Sequence, residues 1–345
     1  MKKFVIGIVG ASGAVGEEII KVLEEVDFPV ERIVALASAR SAGTEIEAFG
    51  KQIPVLETTH EVFGEQGIEI AFFSAGGSVS KEFAPSAAKV GALVIDNTSH
   101  FRMDKDIPLV VPEVNPQDIA AWRARNIIAN PNCSTIQMVQ VLAPLHEVCA
   151  IERVDVSTYQ AASGAGKRGM EELVMQMQKF FAFELEDCKP EVFAHRLALN
   201  VIPHIDIFID NDYTKEEMKM INETHKIMHA NFPVSATCVR VPVLRSHSES
   251  ITIRFSKEMS AKKAREVLEK APNIVLLDEP KSHIYPMPSI ATDTDHTYVG
   301  RIREDNFDKK ILHLWCVADQ IRVGAATNAV RIAQKWIELE QGRDA

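Results

Sequence analysis

Residues 4–16 read FVIGIVGASGAVG, and the fold class turns on how that stretch is taken. Phe4 to Val9 is a short apolar run that ends in a turn, with Gly7, Gly10, Gly13 and Gly16 at every third position. Apolar residues then return at helical spacing, as Ile19, Ile20, Leu23 and Val26 within Glu17–Val26. The order is strand, glycine turn, helix. Working outward, Arg32–Ala37 (RIVALA), Ile68–Phe73 (IEIAFF), Ala92–Ile95 (ALVI) and Asn126–Ala129 (NIIA) are further runs of buried-strand type. Val79–Val90 between them has the spacing of a crossover helix. Strands alternating with helices predict an α/β domain with a parallel sheet and right-handed crossovers.

Beyond about Ile136 the pattern changes. Ile151–Tyr159 (IERVDVSTY) alternates apolar and polar residues, as a half-buried antiparallel strand does. Similar runs follow at Thr237–Leu244, Glu249–Phe255, Thr297–Ile302 and Ile311–Val317. Helical patterns lie between them at Met170–Phe181, Lys215–Ala230 and Ala261–Lys270, and Gly324–Leu339 closes the chain as an amphipathic helix. The second half therefore reads as an α+β domain with a mixed or antiparallel sheet. The expected division is 1–131 with the C-terminal helix 321–345, and 132–320.

The 345 residues are 46% apolar and 25% charged, which is ordinary globular composition and enough chain for two cores. A net charge of −10 argues against nucleic acid and anionic membrane as partners, while leaving room for a local basic pocket. Five cysteines lack metal-ligand or disulfide-framework spacing, which favours a reducing compartment and predicts no metal. With neither a signal-peptide pattern nor a membrane-span-length apolar run, the expected location is the cytoplasm.

The glycines form G-x-x-G-x-x-G between a strand and a helix. Such a turn lets backbone approach a pyrophosphate at a helix N-terminus, although a tight turn with close packing would use the same residues. After the second strand, where an NAD site usually places an acid, the chain reads Ser38-Ala39-Arg40-Ser41. A guanidinium and hydroxyls suit a 2′-phosphate, so NADP is favoured over NAD. Cys133 follows Asn130-Pro131-Asn132 and precedes an apolar-periodic run, which sets it at a helix N-terminus where a thiolate is stabilised. Cys149, Cys188, Cys238 and Cys316 read as small buried hydrophobes. A thiolate needs a proton partner, and His247, placed after a strand where loops build sites, is one candidate among eleven histidines.

Taken together, GASGAVG, SARSAG, FFSAGGSVS, DNTSHFRM, VVPEVN, NPNCST, YQAASGAG, EEMKM, RVPVLRSHSES, YVGRIR and ADQIRVGAATNAV resemble the aspartate-semialdehyde dehydrogenase family along nearly the whole chain. The resemblance implies a Rossmann-like N-terminal domain, a central catalytic and dimerisation domain, and a homodimer; a tetramer stays open. It implies Cys133 as nucleophile, His247 as acid/base and Gln160 positioning the substrate. Arg240 would bind the substrate α-carboxylate and Glu216 its ammonium, with Glu217 the alternative one residue on. Arg102, Asn132 and Lys219 would hold phosphate. Gly10, Ser12, Gly13, Ala14, Val15, Ser38, Arg40, Ser41, Ser163, Gly164 and Gln320 would contact NADP. The implied reaction interconverts L-aspartate 4-semialdehyde and 4-aspartyl phosphate, in lysine, methionine and threonine biosynthesis. N-acetyl-γ-glutamyl-phosphate reductase is the nearest rival, but Asn132 and Ser134 replace the glycine and tyrosine expected there around the cysteine. Glyceraldehyde-3-phosphate dehydrogenase would carry Ser-Cys-Thr-Thr-Asn. A dinucleotide-binding protein without chemistry would keep the glycines but have no use for Cys133, Gln160, Arg240 and His247 together.

Overall fold

The computed structural model describes residues 2–185 and 188–341, so the last four residues of the expected C-terminal segment lie outside it. Two compact units are present, Met1–Asn132 with Ala325–Ala345, and Cys133–Gly324.

The first unit runs β1 (Phe4–Val9), α1 (Ala14–Glu25), β2 (Val30–Ala37), β3 (Glu45–Ala48), β4 (Lys51–Glu57), α2 (Val62–Glu65), β5 (Ile70–Phe73), α3 (Gly77–Lys89), β6 (Leu93–Asp96) and β7 (Ile127–Ala129). Its sheet has the order β3-β4-β2-β1-β5-β6-β7. All neighbours are parallel except β3, which runs antiparallel to β4 at the edge. The unbroken apolar runs of β1, β5 and β6 are buried throughout, as strands covered on both faces must be. Ile6, Ile8, Ile70, Phe72, Leu93 and Ile95 pack with Ile19, Ile20 and Leu23 of α1. The C-terminal helix, Thr327–Gln341, adds Ala329, Val330, Ile332, Ala333 and Ile337 to the same core. Each fully buried Ile, Leu or Phe contributes about 1.5–3 kcal/mol of hydrophobic free energy.

The second unit contains α4 (Cys133–Val148), β8 (Ile151–Gln160), α5 (Gly166–Phe181), α6 (Lys215–Met228), β9 (Val234–Arg240), β10 (His247–Phe255), α7 (Ala261–Leu268), β11 (Ile274–Leu276), α8 (Pro288–Ala291), β12 (Thr297–Glu304) and β13 (Ile311–Ala318). Its sheet, β11-β12-β13-β10-β8-β9, is mixed. β8 is antiparallel to β10 but parallel to β9, so the antiparallel expectation for Ile151–Tyr159 holds on one side only. Met138, Val141, Leu142 and Leu145 of α4 pack against Val154, Val156, Ile251, Ile253, Leu312 and Leu314. The alternate residues, among them Tyr159, Thr252, His313 and Trp315, are less buried.

Four details depart from the sequence reading. The strand expected over Thr237–Leu244 stops at Arg240, because Pro242 has no N–H for a ladder and Val243 N–H closes a tight turn onto Val241 O at 2.8 Å. His247 is therefore the first residue of β10 rather than a loop residue. The β3–β4 hairpin was not foreseen: its turn, Phe49-Gly50, has both residues at positive φ (51° and 68°) but lacks the usual Asn-Gly signature. Finally, Gly324 belongs to a π-helical turn, Arg322–Ala326, that precedes the C-terminal helix.

Candidate active site

Within the second unit, three of the expected residues meet at one edge of the sheet. Gln160 ends β8 and Arg240 ends β9, and the two are register partners across the parallel pair. β10 runs the other way beside β8, which brings its first residue, His247, to the same edge. All three are buried. Cys133 is the first residue of α4 and half-buried, so its sulfur sits at a helix start, where the helix dipole favours a thiolate. The π-helical turn comes so close that a Cβ on Gly324 would lie 2.5 Å from Cys133 Cβ. Gly164 approaches from another side: a Cβ there would lie 2.6 Å from Arg240 Nη1 and 3.3 Å from His247 Nε2.

The state of His247 follows from one contact. The backbone N–H of Ala161 donates to its Nδ1 at 3.1 Å, so Nδ1 is the acceptor and the neutral ring carries its hydrogen on Nε2. Nε2 is buried without a hydrogen-bond partner. Burial first, and then the Arg240 charge, hold the imidazole pKa well below its usual value. The site thus contains a neutral imidazole with an uncommitted donor. Arg240 is itself held below the usual guanidinium range by burial, against which Glu216 and the Cys133 thiol act. One guanidinium N–H donates to Ala161 O, and the Phe193 ring lies 5.8 Å from the guanidinium carbon. Sequence reasoning had not singled out Phe193.

Gln160 is oriented by Thr158, whose hydroxyl donates to Oε1 at 2.9 Å, while Nε2 donates to Glu216 Oε1 at 3.2 Å. Glu216 Oε2 lies 3.1 Å from Lys219 Nζ, and Lys219 also meets Asp206 Oδ2 at 2.7 Å. Glu217 points elsewhere. It completes the capping box of α6 with Thr214, accepting the Thr214 N–H at 2.7 Å, and its other oxygen accepts the Cys238 N–H at 3.0 Å. Both Glu217 oxygens are spent on backbone, so Glu216 is the carboxylate that joins Gln160 and Lys219. Ser163 and Gln320 are buried and bonded to each other, Gln320 Nε2 donating to Ser163 Oγ while its Oε1 accepts the Ser246 N–H at 2.8 Å.

In the first unit the glycine turn is built as a cradle. Gly10 has φ +90°, and a Cβ on Gly16 would lie 2.2 Å from Gly10 O, so α1 can leave the turn this tightly only without side chains there. Gly13 is the N-cap and makes no side-chain cap, leaving the first N–H groups of α1, from Ala14 and Val15 onward, facing the turn that holds Ser12. Ser38, Ala39 and Arg40 are exposed at the end of β2, with Ser41 half-buried beside them. These features fit a dinucleotide pyrophosphate and a 2′-phosphate. Arg102 and Asn132 are buried in this unit; Arg102 donates to Asn130 O at 2.9 Å and Asn97 O at 2.8 Å. Lys219 belongs to the second unit. Of the other cysteines, Cys238 and Cys316 are buried as expected, whereas Cys149 and Cys188 are only half-buried. Burial pushes the Cys316 thiol well above its ordinary range. Among the described residues no cluster of metal-ligating side chains is present, and no helix is long and apolar enough to cross a membrane.

Comparison with known proteins identifies the family. Residues 5–122 match the family described as semialdehyde dehydrogenase, NAD binding domain, and residues 142–323 match semialdehyde dehydrogenase, dimerisation domain. An aspartate-semialdehyde dehydrogenase of Campylobacter jejuni is 67% identical over 339 residues, covering 98% of this chain and 99% of the relative. The structure of aspartate semialdehyde dehydrogenase II from Vibrio cholerae complexed with ASA has a TM-score of 0.93 at 45% identity, covering 98% and 99% of the two chains. That of the Candida albicans enzyme with NADP has a TM-score of 0.76 at 25% identity, covering 98% and 99%. With a nicotinamide-dinucleotide domain and a dimerisation domain both matched, and a 67%-identical relative spanning 98% of its length, this chain belongs to the aspartate-semialdehyde dehydrogenase family.

Proposed function

We propose that the chain catalyses the phosphate-dependent, NADP-dependent interconversion of L-aspartate 4-semialdehyde and 4-aspartyl phosphate through a thioester on Cys133. The observation that carries this reading is the convergence of Gln160, Arg240 and His247 at one sheet edge, with Glu216 bonded to Gln160. Arg240 takes the α-carboxylate in a charge-assisted pair and Glu216 takes the α-ammonium. Gln160 then aligns the aldehyde carbon with the thiol. The Cys133 thiolate adds to that carbon, a C–S bond forms, and the carbonyl electron pair moves to oxygen. His247 meets the new oxyanion with its Nε2–H, the acid half of an acid/base role and the half its tautomer supports. NADP, when bound, supplies the hydride acceptor for this carbon, and the glycine turn from Gly10 to Val15 with Ser38, Arg40, Ser41, Ser163, Gly164 and Gln320 would hold it. Phosphate, held by Arg102, Asn132 and Lys219, attacks the thioester and expels the Cys133 thiolate.

The Candida relative solved with NADP and the exposed Arg40 support NADP over NAD. A match to the dimerisation domain supports a homodimer, and a biosynthetic role in the cytoplasm accords with the family. The division at 1–131 with 321–345 against 132–320 is proposed as the functional one, nucleotide on one side and chemistry on the other. N-acetyl-γ-glutamyl-phosphate reductase chemistry is disfavoured because an acylated amine has no charge for Glu216 to meet. The test is reduction of NADP⁺ with aspartate 4-semialdehyde, with and without phosphate, for wild type and Cys133→Ala. Turnover that requires phosphate and disappears in the variant is expected. A folded wild type that turns over N-acetylglutamate semialdehyde instead would overturn the substrate assignment.

A further inference from the structure

We propose that Asp206 is an internal anion that occupies Lys219 and must be displaced when phosphate binds, so that Asp206 sets the affinity of the phosphate site. The inference rests on the assignment of Lys219 to phosphate made above. Lys219 is flanked by two carboxylates, and they are not equivalent. Glu216 is 8% exposed, is anchored through its other oxygen by Gln160, and is the group that receives the substrate ammonium. Asp206 is 31% exposed and closer to the ammonium of Lys219, at 2.7 Å. Its backbone sits at φ +67°, and its second oxygen accepts the N–H of the next residue, Ile207, at 2.9 Å. It stands on an irregular stretch between the isolated bridges Ile202–Arg240 and Phe208–Thr214, rather than on a helix or strand.

Counting charges gives the argument its direction. Lys219 and Arg240 are balanced by Glu216 and Asp206. The amino-acid substrate brings one ammonium for Glu216 and one carboxylate for Arg240, so it leaves the balance intact. Phosphate brings about two negative charges and no positive one. Arg102, assigned to the same site above, meets one of them; the other falls to Lys219, whose charge is already shared by two carboxylates, and Asp206 is the one whose displacement costs least, being about a third exposed in a pair of modest strength. A carboxylate left in place would instead sit beside the phosphate as a like charge. Burial and its two carboxylate partners act in opposite senses on Lys219, and the carboxylates prevail, raising its pKa, so Lys219 stays charged throughout.

The experiment is steady-state kinetics with inorganic phosphate as the varied substrate, for wild type, Asp206→Asn, Lys219→Met and the double variant. Asp206→Asn is expected to lower the KM for phosphate about three- to tenfold while leaving the KM for the aldehyde within twofold. Lys219→Met raises the phosphate KM at least about tenfold, and in that background Asp206→Asn has no further effect. If Asp206→Asn leaves the phosphate KM unchanged or raises it while Lys219→Met behaves as stated, Asp206 serves only to hold the lysine and the proposal is overturned. If Lys219→Met leaves the phosphate KM unchanged, the assignment of Lys219 to phosphate falls, and this inference with it. Asp206→Ser, which also removes the charge, repeats the test should the asparagine variant fold poorly.

Discussion

Replacing Gly324 by alanine adds a single methyl group, and the structure says where it lands. Its carbon would lie 2.5 Å from Cys133 Cβ and 3.0 Å from Cys133 Cα. Carbon atoms in contact rest about 3.5–4.0 Å apart, so one side must yield by roughly 1 Å. Rotation cannot relieve the clash, because the nearest atoms are the Cα and Cβ of Cys133 rather than the end of a flexible chain. The stability cost is about 1–3 kcal/mol, typical of one methylene too many in a packed interior. The kinetic cost is larger in proportion. A misplacement of about 1 Å lowers the rate on the order of 10²-fold, or about 2.7 kcal/mol of transition-state free energy. Two measurements check this: kcat in the phosphate-dependent reaction, and the rate at which iodoacetamide alkylates Cys133. Gly324→Ala should lose about 10²-fold in kcat with its circular dichroism spectrum unchanged. Turnover within twofold of wild type would refute the reasoning, since the π-helical turn would then not be fixing Cys133 for the proposed reaction.

Other predictions follow from the buried titratable groups and the two neighbouring glutamates. Glu249 is fully buried, and burial pushes its carboxyl up to about 8 from an ordinary 4.5, with the Cys316 thiol and the Gln137 amide acting against the rise. The folded protein therefore holds a proton that the unfolded chain has released, and stability falls as pH rises through the window from about 4.5 to about 8. Glu249→Gln should remove that component of the slope in Tm against pH; an unchanged slope would show that the carboxyl ionises freely. His247 remains neutral below its ordinary range, so the acid limb of kcat/KM should lie well below pH 6.5, and a limb centred at 6.5 would contradict the burial of the ring. Glu217→Gln should cost about 1–3 kcal/mol in denaturant unfolding with the KM for the aldehyde nearly unchanged. Glu216→Gln should do the reverse, raising that KM at least about tenfold with little loss of stability; exchanged phenotypes would reassign the ammonium site. Arg40→Glu should lower kcat/KM for NADP⁺ on the order of tenfold relative to NAD⁺, and an unchanged ratio would remove Arg40 from the cofactor site.

The fold class and the family were legible in the sequence because both rest on local signals. The run FVIGIV with its glycine turn is self-sufficient: six buried strand residues followed by backbone that cannot accept side chains. Family motifs brought forward the candidate site residues, and the structure brings Gln160, Arg240 and His247 to one sheet edge. Less was legible where tertiary pairing decides. The hairpin formed by β3 and β4 turns through Phe49-Gly50, a dipeptide with no hairpin signature, and the strand ending at Arg240 was read too long because Val241 and Val243 continue the apolar alternation past a proline. The distinction between Glu216 and Glu217 had to come from coordinates. Adjacent residues on a helix point about 100° apart, and only the partners, backbone for Glu217 and side chains for Glu216, separate a structural carboxylate from a site carboxylate. A capping signal was nevertheless present: Thr214 followed three residues later by Glu217 is the capping-box pattern.

The C-terminal helix has a consequence for how the protein is made. Its Ala329, Val330, Ile332 and Ala333 belong to the core that also holds Ile6 and Ile8 from the first strand. The first unit is thus closed by a helix that leaves the ribosome long after the strands it packs on. Between the end of β7 and that helix lie about 200 residues, which take on the order of 10–40 s to synthesise at roughly 5–20 residues per second. Throughout that interval the first sheet exists without the helix that covers it, and its apolar face is open to chaperones or to a neighbouring nascent chain. The second unit, continuous from Cys133 to Gly324, has no such wait. The first unit therefore closes only after the second has been made, although its strands are encoded before it.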